Sequence, residues 1–157
     1  MIYFFLIFWA SIFTFLWWHS AKRKKGLQAV ASRLGLHYLG EVLPRSFSLR
    51  SPVFKNVTAV WNVLDGDRND RRMIAFDYRI GRGKQSRTKT VIAVDVVPAD
   101  LESLVVRYNT LSIESAGHWS FLFEPRRFPA REVMFVSELE TYIESVLSMK
   151  ITLSLPK

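Results

Sequence analysis

Between Ile2 and Trp18 the chain carries no charge, no glycine and no proline, and only Ser11 and Thr14 interrupt its apolar and aromatic residues. As a helix rising about 1.5 Å per residue, this run reaches about 25 Å, the short end of what crosses a hydrocarbon core of about 30 Å. Everything after Lys25 is mixed and charged. The chain therefore reads as one membrane anchor carrying one soluble domain. The alternative, a buried helix of a soluble protein, would put Trp9, Trp17, Trp18 and six further aromatic side chains into one core element, which is an unusually bulky load.

A cleaved secretory signal has positive charge before its apolar core and small residues after it. Here the order is reversed. No Lys or Arg precedes Ile2, and the run ends in Trp17, Trp18 and His19. Trp17 and Trp18 suit a membrane interface, as does Tyr3 at the other end. Lys22, Arg23, Lys24 and Lys25 follow directly, and such an excess marks the cytoplasmic side, leaving the N-terminus out. These six residues, the two Trp and the four cations, are the expected membrane contacts. Beyond setting topology, the cations can bind anionic headgroups, at about 1 kcal/mol for each Lys or Arg near the surface.

The formal net charge is +8, all of it outside the apolar run, and half of it is the Lys22–Lys25 cluster. A second basic stretch runs from Arg71 to Lys89, where Arg71, Arg72, Arg79, Arg82, Lys84, Arg87 and Lys89 face one acid, Asp77. This charge fits an acidic membrane surface or an acidic protein face. Nucleic acid is the weakest of the three partners, because it calls for aromatics interleaved with the cations and only Tyr78 qualifies. The absence of cysteine excludes disulfides and thiolate chemistry and fits a cytosolic domain.

Four segments follow from the pattern: an anchor at 1–20, a basic juxtamembrane helix at 21–35, an antiparallel sheet domain with a C-terminal helix at 36–150, and a tail at 151–157. In the second, Leu27, Val30, Ala31 and Leu34 recur at helical spacing, and Gly35 stands at a C-cap position. Leu36, Tyr38 and Val42 then begin a strand-like run that Pro44 ends. Phe47 to Phe54, broken by Pro52, reads as an edge or loop. The runs 57–64 and 73–80 form a hairpin joined by Asp65–Asp70, with an Asp-Gly turn, and 88–97 is a third strand reached through Gly81–Lys84. Residues 98–108 read either as a helix from Pro98 or as a strand. A hairpin around Ala116-Gly117 follows, then a turn at Pro125–Pro129. Last comes a helix with Val136, Leu139, Ile143, Val146 and Leu147 on one face, capped by Ser137 and Glu140. The expected class is α+β, a transmembrane helix followed by an antiparallel sheet and a C-terminal amphipathic helix, with a pleckstrin-homology-like barrel as the other architecture.

No constellation commits the domain to a reaction. Asp65, Asp67, Asn69 and Asp70 resemble the start of a calcium loop, but Asp70 and Phe76 stand where the Gly and the Glu are needed. Gly81–Lys84 lacks the spacing of a phosphate loop. His19, His37 and His118 have no partners at metal or triad spacing. No cofactor, metal or catalytic residue is expected, and an enzyme using Asp77 and His118 is the remote alternative. Asp77, between Phe76 and Tyr78, points away from both, which predicts a solvent-facing salt bridge to Arg79 or Lys89. Arg79, Arg82, Lys84, Arg87 and Lys89 form the expected basic hairpin for an anion or a protein partner.

Several short motifs, Asn62-Val63-Leu64-x-Gly66, Phe76-Asp77-Tyr78, Thr90-Val91, Leu34-Gly35-Leu36, Gly117-His118-Trp119 and Arg126-Arg127, together resemble uncharacterised small bacterial proteins with one N-terminal span and a soluble domain. The likeness covers most of residues 27–147. It implies a single-pass protein of the bacterial inner membrane and carries over no catalytic residue. Two functions follow as expectations: a non-enzymatic domain binding a protein partner or anionic headgroups through the basic hairpin, or a subunit of an envelope or secretion complex assembled through the aromatic span.

Overall fold

The computed structural model describes residues 2–68, 71–124 and 133–149. Its first element is one uninterrupted helix, α1 (Ile2–Leu34), so the two segments expected at 1–20 and 21–35 are a single rod. Among the described residues it is the one helix long and apolar enough to cross a membrane. It stops at Gly35, whose φ of 71° only glycine adopts without strain. Leu36 N–H closes the helix end by donating to Ala31 C=O at 2.8 Å.

Six strands follow: β1 (His37–Gly40), β2 (Val57–Arg68), β3 (Arg71–Ile80), β4 (Arg87–Asp95), β5 (Ser112–Ala116) and β6 (Trp119–Phe123). All neighbours are antiparallel and the order is β1-β2-β3-β4-β6-β5. Among the described residues the sheet is open, with β1 and β5 as its edges. Between β4 and β5, residues Pro98–Arg107 form a helix, α2, which settles the helix-or-strand alternative there. Pro98 sits in the first turn, where its missing N–H has no intrahelical partner to lose. The last described helix is α3 (Val136–Ser148), with Leu139, Tyr142, Ile143, Val146 and Leu147 buried.

Alternation along β3 and β4 sorts the core into two layers. Met73, Ala75, Ile92 and Val94 face the helices, together with Leu27 and Ala31 of α1 and the buried residues of α2 and α3. Ile74, Phe76, Tyr78, Val91 and Ala93 face the other way, against Phe47 and Phe54. The stretch expected as an edge or loop is therefore the cover of the second face. Pro52–Phe54 is a single 3-10 turn, and Phe54 meets Phe121 edge-on at 5.0 Å while Phe47 meets Trp119 at 5.2 Å. Burying each such ring contributes about 1.5–3 kcal/mol.

Three local expectations are corrected. The Asp65–Asp70 connection of the first hairpin is shorter than expected, because β2 continues through Asp65 and Gly66 to Arg68 and β3 begins at Arg71. Gly66 is a close-packing residue, since a Cβ there would lie 2.5 Å from Leu36 Cδ2. The cap of α3 lies two residues earlier than expected: Phe135 N–H donates to Glu138 Oε2 at 3.1 Å, and Glu140 instead accepts from Arg33 Nε of α1 at 2.7 Å. Val42 lies beyond β1 and is exposed. The expected turn at Pro125–Pro129, with Arg126 and Arg127, and the tail at 151–157 lie outside the described residues.

Candidate functional site

Four consecutive cations on a helix are distributed around its axis. Lys22, Lys24 and Lys25 are exposed, and Lys22 Nζ sits 5.3 Å from the Trp18 ring centroid. Arg23 turns inward. Its Nε donates to Asp77 Oδ2 at 2.8 Å, its Nη2 to Asp77 Oδ1 at 2.7 Å and its Nη1 to Met134 C=O at 2.7 Å. Arg23 is 12% exposed and Asp77 2%. The expectation of Arg23 as a headgroup contact is corrected by this pairing, and so is that of a solvent-facing Asp77. Asp77 does point away from Phe76 and Tyr78, but a helix covers that face.

The other groups around Asp77 come from three strands. Thr90, directly across β3–β4 in register, donates to Oδ1 at 2.6 Å. Its hydroxyl oxygen in turn accepts Met134 N–H at 3.2 Å. Asn62 Nδ2 donates to Oδ2 at 2.9 Å, and Tyr38 O–H donates to Asn62 Oδ1 at 2.8 Å. Asn62 reaches this face because β2 carries an extra residue against β3 between Trp61 and Leu64. At the bulge Asn62 has φ 55°, a left-handed conformation that asparagine tolerates better than β-branched residues. Both Asp77 oxygens are saturated by donors, so the carboxylate serves as a lock between α1 and the sheet. Partial burial raises the Tyr38 hydroxyl above the usual tyrosine value of 10.0, with Asp77 and then Glu41 adding to the effect.

Sequence reasoning missed Asn62, Thr90 and Tyr38. The available signal was Asn62 itself, a polar, turn-favouring residue interrupting the apolar run Val57–Leu64.

The basic hairpin is formed by the ends of β3 and β4 and the turn between them. Gly81 and Gly83 take φ of 76° and 60°, and Ser86 N–H returns to Gly83 C=O at 3.1 Å. Arg82, Lys84 and Arg87 are exposed. Arg79 is exposed too and lies over the Trp61 ring at 5.7 Å. Lys89 is half-buried, opposite Tyr78. The residues expected together thus share one end of the sheet, on both of its faces.

That end points along α1 toward the apolar run. Leu36, just past the end of α1, packs on Gly66, which pairs with Met73. Further along β3, Asp77 meets Arg23, much earlier in α1. Helix and strand are therefore antiparallel. Three more strand residues to Ile80 advance about 10 Å, whereas α1 from Arg23 back to Trp18 covers about 7.5 Å. The turn at 81–86 therefore lies on the side of the Arg23–Asp77 pair from which the apolar run of α1 extends.

His118 is exposed at the β5–β6 turn beside Trp119. Trp119 pairs with Asp95 and Asp77 with Thr90, so His118 and Asp77 are about 16 Å apart along the sheet. They form no common site. His37 is exposed in β1 and His19 lies against Phe15 on α1. Among the described residues no group of His, Asp or Glu is placed to hold a metal ion.

Compared with protein-family models, with curated proteins and with solved structures, the chain matches none.

Proposed function

We propose that this is a non-enzymatic, single-span protein of a bacterial inner membrane. Its N-terminus faces out, and its cytoplasmic α+β domain, closed by α3 as an amphipathic helix, binds anionic lipid headgroups through the β3–β4 hairpin. The observation that carries this reading is the direction of the hairpin. Its tip, with Arg82, Lys84 and Arg87, lies beyond the Arg23–Asp77 pair on the side of the apolar run, toward the interface that a membrane around α1 would have. A rigid connection supports it further: α1 enters the domain core without a break, and the Arg23–Asp77 lock holds it there.

Exposed cations near an anionic surface each contribute about 1 kcal/mol. Reversing Arg82, Lys84 and Arg87 to Glu in the full chain then weakens the hold on anionic bilayers while the fold persists. The measurement is the depth of a probe at Ser86→Cys in vesicles with and without an anionic lipid. A probe that sits in the headgroup layer only when anionic lipid is present, and leaves it on charge reversal or in high salt, agrees with the proposal. Equal exposure to water in both vesicles removes it. Protease digestion of the domain in inverted vesicles but not in intact cells tests the orientation.

The second reading, a subunit of an envelope or secretion complex, draws on a different observation. Phe5, Trp9 and Phe13 are exposed and stack successively along one face of α1, with ring centroids 6.1 and 6.2 Å apart. Replacing residues 2–18 with an unrelated apolar span separates the two, because only the second loses function while the protein stays in the membrane.

A further inference from the structure

We infer that Phe135 is an apolar insertion residue, a further contact of the domain with the bilayer interface beside the Trp pair of α1 and the basic hairpin. This rests on the surface pose proposed above. Phe135 is 67% exposed, although its backbone is held on both sides. Met134 before it donates its N–H to Thr90 and accepts Arg23 Nη1. Val136 after it lies against Gly26, where a Cβ would come within 3.2 Å of Val136 Cγ1. A large ring on a fixed backbone, turned to water, adds little to the core.

It also occupies the N-cap of α3, where Ser, Thr, Asp or Asn would stabilise the helix and an aromatic does not. Glu138 accepts the N–H of Phe135 itself, the reciprocal half of a capping box, which an aromatic side chain cannot complete. A bilayer is the occupant that fits. The contact with Gly26 puts Phe135 at the level of Lys24 and Lys25, both exposed, and aromatic and basic side chains together are the composition of interfacial segments. From there to Trp18 is about 10 Å along α1, and the headgroup layer is about 5–8 Å thick on each side. A lean of α1 toward α3 by about 20°, ordinary for spanning helices, closes the difference. Trp18, the hairpin tip and Phe135 lie on α1, the sheet and α3, so together they define a plane rather than a line. A domain held at three such points cannot rock about its anchor.

The chain has no cysteine, so a single fluorescent label at Ser137→Cys, on the exposed first turn of α3, reports this end of the domain. The full chain is reconstituted in vesicles of neutral phosphatidylcholine and, separately, with phosphatidylglycerol added, each carrying lipids brominated near the headgroup end of the acyl chain. The expected result is a blue-shifted, quenched label in both vesicles, lost on Phe135→Asp, because apolar insertion does not need anionic lipid. A label that is unquenched with Phe135 present overturns the inference, and so does quenching that survives Phe135→Asp. The parallel label at Ser86→Cys separates the two proposals. Quenching at 86 alone removes the role of Phe135 and keeps the hairpin, while quenching at 137 with none at 86 does the opposite.

Discussion

Arg23 and Asp77 form a bidentate ion pair, Nε to Oδ2 at 2.8 Å and Nη2 to Oδ1 at 2.7 Å, that joins the long N-terminal helix to the middle of the sheet. Such a pair contributes little net stability compared with apolar packing, because both charges lose water, but it fixes geometry. The planar guanidinium meets the carboxylate in one orientation only. Here that sets the rotation of α1 on the domain and so the direction in which the hairpin points.

Removing one partner leaves the other charge buried and unpaired. Asp77→Leu is expected to cost about 3 kcal/mol, read as a lowered thermal midpoint of the full chain in detergent. The double variant Arg23→Met with Asp77→Leu should lose less than the two single changes summed, by about 1–3 kcal/mol. Strict additivity would mean the pair does not couple helix and sheet.

Asn62 separates backbone conformation from hydrogen bonding. Asn62→Ala loses the bonds to Asp77 and Tyr38 and also forces an alanine to φ 55°, a conformation costing about 1–2 kcal/mol. Asn62→Gly loses the same bonds without that strain. Denaturant melts should therefore rank the wild type above Asn62→Gly and Asn62→Gly above Asn62→Ala. The reverse order of the two variants would show that the bulge is not strained.

Gly66 and Leu36 test the seating of the end of α1. The Cβ of Gly66→Ala would meet Leu36 Cδ2 at 2.5 Å, and displacing a buried leucine should cost about 1–3 kcal/mol. Adding Leu36→Ala should make the Gly66→Ala change nearly neutral relative to Leu36→Ala alone. A Gly66→Ala cost that persists in that background would place its origin in the strand backbone.

Tyr38 gives the lock a pH dependence at the alkaline end. Its hydroxyl titrates above 10.0 in the folded chain, chiefly because it is partly buried, with Asp77 and Glu41 adding to the shift. The unfolded chain therefore releases this proton first, so the contribution is complete below pH 10 and falls as the pH rises through the higher folded value. Urea melts from pH 8 to 11 should show the wild type losing more stability than Tyr38→Phe over the upper part of that range. Parallel curves would exclude this tyrosine as the source.

The apolar run at 2–18 and the cations after it can be read from order alone, because crossing a bilayer is a matter of length and transfer free energy. Most strand and helix positions are similarly legible, since the two-residue and 3.6-residue periods are local, although 98–108 fits both and only the fold makes it the helix α2. The turn glycines 35, 81 and 117 lay where those periods change. Phe47 and Phe54 look like loop residues in the sequence, and only the folded sheet shows the face they cover. Asp77 illustrates the same division. Its alternation with Phe76 and Tyr78 gives the side of the sheet correctly, but whether that side meets water depends on a helix that precedes it by more than fifty residues. Burial, the bulge that turns Asn62 inward and the direction of the hairpin relative to α1 all arise from contacts between distant segments. Local pattern determined the elements and their order. Tertiary packing alone decided that Arg23 locks onto the domain, because desolvation and bidentate geometry exist only once α1 lies on the sheet.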